Sequence, residues 1–203
     1  MDTRRDIAEA ANQMRSQMKM APLPQEQIIR NVGNGVHELI AGCLQTEDPQ
    51  RIEAGVKIYR AYYAQHMLDH SRLYPGALDL LNRFRDRKQA VITNKPNPYS
   101  REILAGLGVA GYFREIIAGN SEYPKKPDPS ALVSLMEKNN VSAEQTLFIG
   151  DSAVDVETGR SAKVLTVVIR HGFSDEAEIR DAAPDQVVDN FKQLIKLAQS
   201  SGW

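Results

Sequence analysis

The chain has 203 residues, 42% of them hydrophobic and 25% charged, and its formal net charge is −1. This length suits one medium domain or a core with a smaller appended one, and the even charge balance offers no broad basic surface for nucleic acid. No stretch approaches the roughly 20 apolar residues that span a bilayer, and the N-terminus lacks the apolar segment of a signal peptide, so a cytoplasmic protein with no membrane partner is expected.

A helix is expected over residues 4–20, where Ile7, Ala11, Met14 and Met18 follow a 4-3-4 spacing and Asp2 or Thr3 is available as N-cap. No apolar strand comes before it. APLP (21–24) turns the chain into a short helix ending near Arg30, NVGNG (31–35) interrupts it, and Val36, Leu39, Ile40 and Cys43 resume a helical face. Cys43 is the single cysteine, so there is no intrachain disulfide and no cysteine-based metal cluster; it reads as a buried thiol. The next helix, over about 49–69, carries Ile52, Val56, Tyr59, Tyr63 and Met67 on one stripe. Tyr62 and Tyr63 make this helical segment a candidate homodimer surface.

From Tyr74 the pattern changes. PGALDLLNRFRDRK reads as a helix with Pro75 near its first turn and Leu78, Leu81 and Phe84 inward. Arg83, Arg85, Arg87 and Lys88 form its solvated end, where cations suit the helix dipole. Short apolar strands follow at QAVITN (89–94), EIIAG (115–119), TLFIGD (146–151), LTVVIRHG (165–172) and, more weakly, QVVDN (186–190). Helices separate them at about 98–107, after Pro129, and at 153–162, and a last helix carries Phe191, Leu194 and Ile195. Such alternation predicts a parallel sheet covered on both faces. The expected fold class is α/β: a three-layer, Rossmann-like core over 71–203, with an α-helical domain over 4–70.

Ligands of open parallel sheets bind beyond the carboxyl ends of the strands, so the residues that follow each strand carry the chemistry. After the first comes Thr93-Asn94-Lys95-Pro96, a hydroxyl with an amide. After the second, Lys125-Lys126-Pro127-Asp128-Pro129 offers a lysine in a proline-restricted loop. After the third, Gly150-Asp151-Ser152-Ala153-Val154-Asp155 brings two carboxylates toward one edge as a helix begins, and Gly150 lets the backbone turn sharply. Hard oxygen ligands at such a place suit Mg²⁺. Acids also suit a helix N-terminus for dipole reasons alone, and Thr93 and Asn94 serve equally well as helix caps. It is the three in succession that point to a site.

VITNKP (91–96), KKPDP (125–129) and FIGDSAVD (148–155) resemble motifs II, III and IV of the haloacid dehalogenase (HAD) superfamily, and are most similar to its phosphoglycolate phosphatase-like members. YPGALDLL (74–81) resembles the entry into that family's core, and residues 4–70 its α-helical cap. The resemblance implies a Mg²⁺-dependent phosphohydrolase acting on a small phosphorylated metabolite. Thr93 would bind the transferred phosphoryl group with help from the Asn94 backbone, and Lys126 would stabilise charge on phosphate and nucleophile. Asp151 would hold the metal, supported by Asp155 directly or through water. Arg30, Gly33, Asn34 and Gly35, in a loop similar to one that helps choose the substrate, are candidates for substrate contact; a plain turn between two helices explains Gly33 and Gly35 as well.

Members of this family begin with an apolar strand ending DxDGT, whose first Asp attacks phosphorus and whose second is the general acid. No DxD occurs in these 203 residues, and Met1 aligns just after that motif. The first strand of the sheet is therefore expected to be missing, with the residues that would complete the core lying before Met1, and catalysis by residues 1–203 alone is expected to fail. The alternative is a catalytically dead relative that binds a phosphorylated ligand or partner. A serine esterase built on Gly150-Asp151-Ser152 is excluded, because the residue three before His171 is Val168 and not an acid.

Overall fold

The computed structural model describes residues 1–171 and 176–201. The chain runs through α1 (Arg4–Gln17), α2 (Gln25–Ile29), α3 (Val36–Leu44), α4 (Pro49–His66), α5 (Ala77–Arg83) and β1 (Ala90–Ile92). It continues with α6 (Tyr99–Gly106), β2 (Glu115–Ile117), α7 (Ser130–Asn139), β3 (Leu147–Gly150) and α8 (Ala153–Ser161). It ends with β4 (Leu165–Ile169), α9 (Glu176–Ala182), β5 (Gln186–Val188) and α10 (Phe191–Ser201). Two compact units result: Met1–Tyr74 with Asn94–Gly111, and Pro75–Thr93 with Tyr112–Trp203. No helix among the described residues is long and apolar enough to cross a membrane.

The first unit is helical. Asp48 caps α4 by accepting from Gln50 N (2.9 Å), and Pro49 fills the first turn, where no backbone donor is needed. Val56, Tyr59 and Tyr63 of α4, and Met67 just after it, are buried, and α4 packs on α1 and α3, whose own buried residues include Ile7, Ala11, Met14, Ile40 and Cys43. Gly55 is where α3 and α4 meet, since a Cβ there would lie 2.7 Å from Ile40 Cγ2. Burial pushes the Cys43 thiol up to about 11, as expected of an inert core cysteine. Tyr63 is 1% exposed, so it packs the core and is not available to a dimer surface; Tyr62 stacks on His66 instead. Residues 94–111 also belong to this unit, with the Tyr99 ring edge-on to Tyr63 at 5.4 Å and Ile103 and Leu104 buried. A division at residue 71 drawn from the sequence alone misses that grouping.

The second unit is α/β. Every strand pair is parallel, but the strands form two sheets, β1-β2 and β3-β4-β5. Alternation along β4 explains the layers. Val167 and Ile169 pack with Leu80, Val188 and Leu194 under α5 and α10, while Val168 joins Val156 and Ile179 under α8 and α9. The sheet is thus covered on both faces, the expected three-layer α/β/α arrangement.

The α5 face differs from expectation. Leu78 is 45% exposed, and Ala77 and Leu80 are the buried residues. Gly76, at φ +83, starts the helix so that Leu80 and Phe84 meet α10. Leu78 lies about 200° around the helix from Leu80, on the opposite side. Helix α9 was not expected, because Ile179 is its only large apolar residue. The last residue of the expected strand 165–172, Gly172, lies outside the described residues.

Candidate active site

The α/β unit gathers four of the expected site residues at strand carboxyl ends. Thr93 follows β1, and its backbone N–H donates to Ile117 O of β2 (3.0 Å). Lys126 lies in the loop after β2, and Asp151 follows β3 directly. Asp155 sits in the first turn of α8, only 3% exposed.

Asp155 is the organising group. Its Oδ1 accepts from Lys126 Nζ at 2.6 Å, and its Oδ2 accepts from Ser152 Oγ (2.7 Å) and from the Asp151 backbone N–H (3.1 Å). Burial on its own drives the carboxyl pKa up. The Lys126 ammonium, with the donors from Ser152 and Asp151, outweighs that effect and holds it below the ordinary carboxylate value. The charge is therefore locked on, and so is the position of the lysine. Lys126 and Asp155 are 29 residues apart, and their side chains are 14% and 5% exposed. A pair this shielded is costly to form and more costly to break.

Gly150 has a different reason from the one expected. Its φ is not in the left-handed region, but a Cβ there would stand 2.2 Å from Asp155 Cβ and 2.6 Å from Oδ2. Glycine is needed so that the α8 carboxylate can lie against the end of β3. Ser152 is a partner that the motif reading passed over. It caps α8 through its side chain, and a Ser followed three residues later by an acid is the legible signal for that role.

The remaining candidates lie in the helical unit. Arg30 closes α2 and is exposed; Gly33 and Gly35 hold positive φ (142 and 108), and Asn34 between them is exposed. Asn94 Nδ2 donates to Gly33 O at 3.0 Å, which ties this loop to the segment that follows Thr93. Lys95, next in sequence, donates to Tyr63 Oη at 2.7 Å, and its ammonium stands 4.7 Å from the Tyr63 ring centre. Burial lowers its pKa to about 8. Neither contact has a sequence signature.

The donor set bears directly on Mg²⁺. Both Asp155 oxygens are engaged by nitrogen or hydroxyl donors, so Asp155 serves as a brace, and Asp151 stands next to it at the end of β3. Mg²⁺ takes one or two carboxylates with waters and phosphate oxygens. The residues present therefore fit one edge of such a site. Among the described residues, the one group of three close ligand atoms is Asp6, Glu9 and His70 in the helical unit. There Asp6 already accepts three hydrogen bonds from the segment at 70–71.

Residues 1–169 match the haloacid dehalogenase-like hydrolase family. A phosphoglycolate phosphatase of Haemophilus influenzae (strain Rd) is 30% identical over 202 residues, covering 95% of this chain and 90% of that protein. The phosphoglycolate phosphatase of Pseudomonas fluorescens Pf-5 is 33% identical, covering 96% of this chain and 74% of that protein. Among solved structures, a predicted phosphoglycolate phosphatase from Haemophilus somnus 129PT superposes with a TM-score of 0.90 at 24% identity, covering 97% and 92% of the two chains. At that identity the likeness speaks for the fold.

Proposed function

The chain belongs to the haloacid dehalogenase-like hydrolases, and on that premise we propose that it is a phosphatase of the phosphoglycolate phosphatase type whose residues 1–203 carry the phosphate-holding half of the site. The observation that carries the reading is the buried Lys126–Asp155 pair, which gathers at the strand ends the lysine and carboxylate such chemistry requires. The hydroxyl of Thr93 and the Asn94 backbone hold the phosphoryl oxygens of a small phosphate monoester. Lys126, fixed by Asp155, presents its ammonium to the charge that grows on phosphorus-bound oxygens as the ester bond breaks. Asp151 would hold Mg²⁺, with Asp155 and Ser152 setting the loop around it, and the bound ion would supply neutralisation of phosphate charge. Arg30, Gly33, Asn34 and Gly35 of the helical unit stand as candidates for substrate contact by the resemblance of their loop alone. A cytoplasmic location agrees with this substrate class.

The attacking carboxylate and its acid partner are not among these residues, since no Asp-x-Asp occurs in them. Nucleophile and acid act as a unit, so residues 1–203 alone retain at most residual electrostatic help. The polypeptide of residues 1–203 is expected to show negligible Mg²⁺-dependent release of phosphate from phosphoglycolate or p-nitrophenyl phosphate. The same polypeptide extended at its N-terminus by an apolar strand ending Asp-x-Asp-Gly-Thr is expected to hydrolyse them. Failure of the extended form, folded and supplied with Mg²⁺, refutes the phosphatase reading; turnover by the unextended form refutes the account of the nucleophile.

A further inference from the structure

Lys95 is a charged group that the proposed chemistry leaves unused. The chain passes from the α/β unit to the helical unit between Thr93 and Asn94, and the first two side chains on the helical side both grip that unit. Asn94 Nδ2 reaches Gly33 O, an exposed contact on an exposed residue. Lys95 Nζ reaches Tyr63 Oη instead, inside the unit. The two anchors differ in firmness.

Tyr63 is fixed from several sides. Its ring stacks on Tyr59 at 5.3 Å and meets Tyr99 edge-on at 5.4 Å, and its hydroxyl shares a hydrogen bond with the buried Thr3 side chain. A donor bound to such a hydroxyl takes up a fixed position. Pro96 adds to this, because the residue before a proline is restricted to extended backbone.

The lysine is a costly way to fill its space. Burial disfavours the charged form and the Asp6 carboxylate offsets only part of that, so the pKa falls to about 8. An unbranched apolar side chain such as methionine would fill a similar volume without that cost. Buried polar groups kept at such a cost are best attested where they set a position. One residue back stands Asn94, whose backbone is proposed to hold phosphoryl oxygens.

We propose that Lys95 is a positioning residue: by bonding to Tyr63 it fixes the main chain at Asn94, so that the Asn94 N–H meets a phosphoryl group without having to be ordered first. Its purpose rests on the phosphatase reading; its geometry does not. A donor that is already fixed loses little freedom when an anion binds to it.

The test compares the 203-residue protein with Lys95→Met and Tyr63→Phe by ¹⁵N relaxation. In the parent, the Asn94 amide is expected to be rigid, with an order parameter of about 0.85. In Lys95→Met it is expected to fall below about 0.6, while Ile103 and Leu104 of α6 stay rigid and Tm stays at or above that of the parent. Tyr63→Phe keeps the ring and loses the acceptor, and is expected to loosen Asn94 in the same way. Inorganic phosphate, followed through the Asn94 amide shift, is expected to bind Lys95→Met at least about five-fold more weakly than the parent, the cost of ordering a loosened donor. Unchanged order at Asn94 in either variant overturns the proposal. So does a lower Tm with order lost throughout α6, which would make Lys95 a plain packing residue. If the parent binds no phosphate, it is the phosphatase reading that loses support, and the order parameters still decide whether Lys95 fixes Asn94.

Discussion

Asp155 in the α/β unit and Asp6 in the helical unit are both almost fully withdrawn from water, at 3% and 1% exposure, but they are held in opposite ways. Asp6 accepts from the backbone N–H groups of His70 (2.9 Å) and Ser71 (2.8 Å) and from Ser71 Oγ (2.6 Å), donors with no net charge and, for two of them, no side-chain freedom. Asp155 takes its strongest partner from a lysine side chain. A carboxylate satisfied by fixed peptide groups is a structural staple, because no ligand can compete for them. A carboxylate satisfied by an ammonium fixes that ammonium's position, which is what the role proposed for Lys126 needs. The contrast separates scaffold from proposed site.

The largest expected effect breaks the contrast on the α/β side. Lys126→Met strands a buried charge and should cost about 3–5 kcal/mol in urea unfolding, whereas Lys126→Met with Asp155→Leu should recover most of that loss. If the double variant is as damaged as the single one, the pair is not the determinant. On the helical side, Asp6→Asn turns one acceptor into a donor facing donors and should cost about 2–3 kcal/mol. No second substitution rescues it, since its partners are largely main chain. Gly150→Ala should cost about 1–3 kcal/mol by overpacking, and because the new methyl meets Asp155, it should displace Lys126 as well; a crystal structure of the variant reads this directly.

The smallest effect is in pH. The Asp155 pKa is lowered on folding, so its contribution is complete above the unfolded value near 3.8 and is lost as pH falls through the folded one. Lys126→Met removes the lowering charge and leaves burial to raise the pKa. Acid unfolding of that variant, followed by circular dichroism, should therefore begin at higher pH than in the parent.

The same contrast explains what the sequence discloses. Thr93, Lys126 and Asp151 are legible because parallel sheets put chemistry immediately after strands, and their strands are plainly apolar. Asp6 is not, because its partners are main-chain groups 64 and 65 residues away, and any residue supplies a backbone N–H. Gly150 is visible as a glycine, but the close approach that requires it depends on where Asp155 comes to rest. The inward face of α5 is decided by α10, far down the chain, and one residue of phase is enough to expose Leu78. The placement of 94–111 among helices rests on Tyr63 and Tyr99, whose contact joins segments with no shared periodicity.

The bridge between Asp2 and Arg72 is a small feature with a practical corollary. Asp2 N donates to Arg72 O at 2.8 Å and Arg72 N returns the bond to Asp2 O at 3.1 Å, so the helical unit's first residues and its exit lie side by side. Anything fused ahead of Met1 therefore starts beside Arg72 and not at the far end of the helices. An affinity tag or reporter attached there would sit against this backbone bridge, and a cleavable one keeps Asp2 and Arg72 paired.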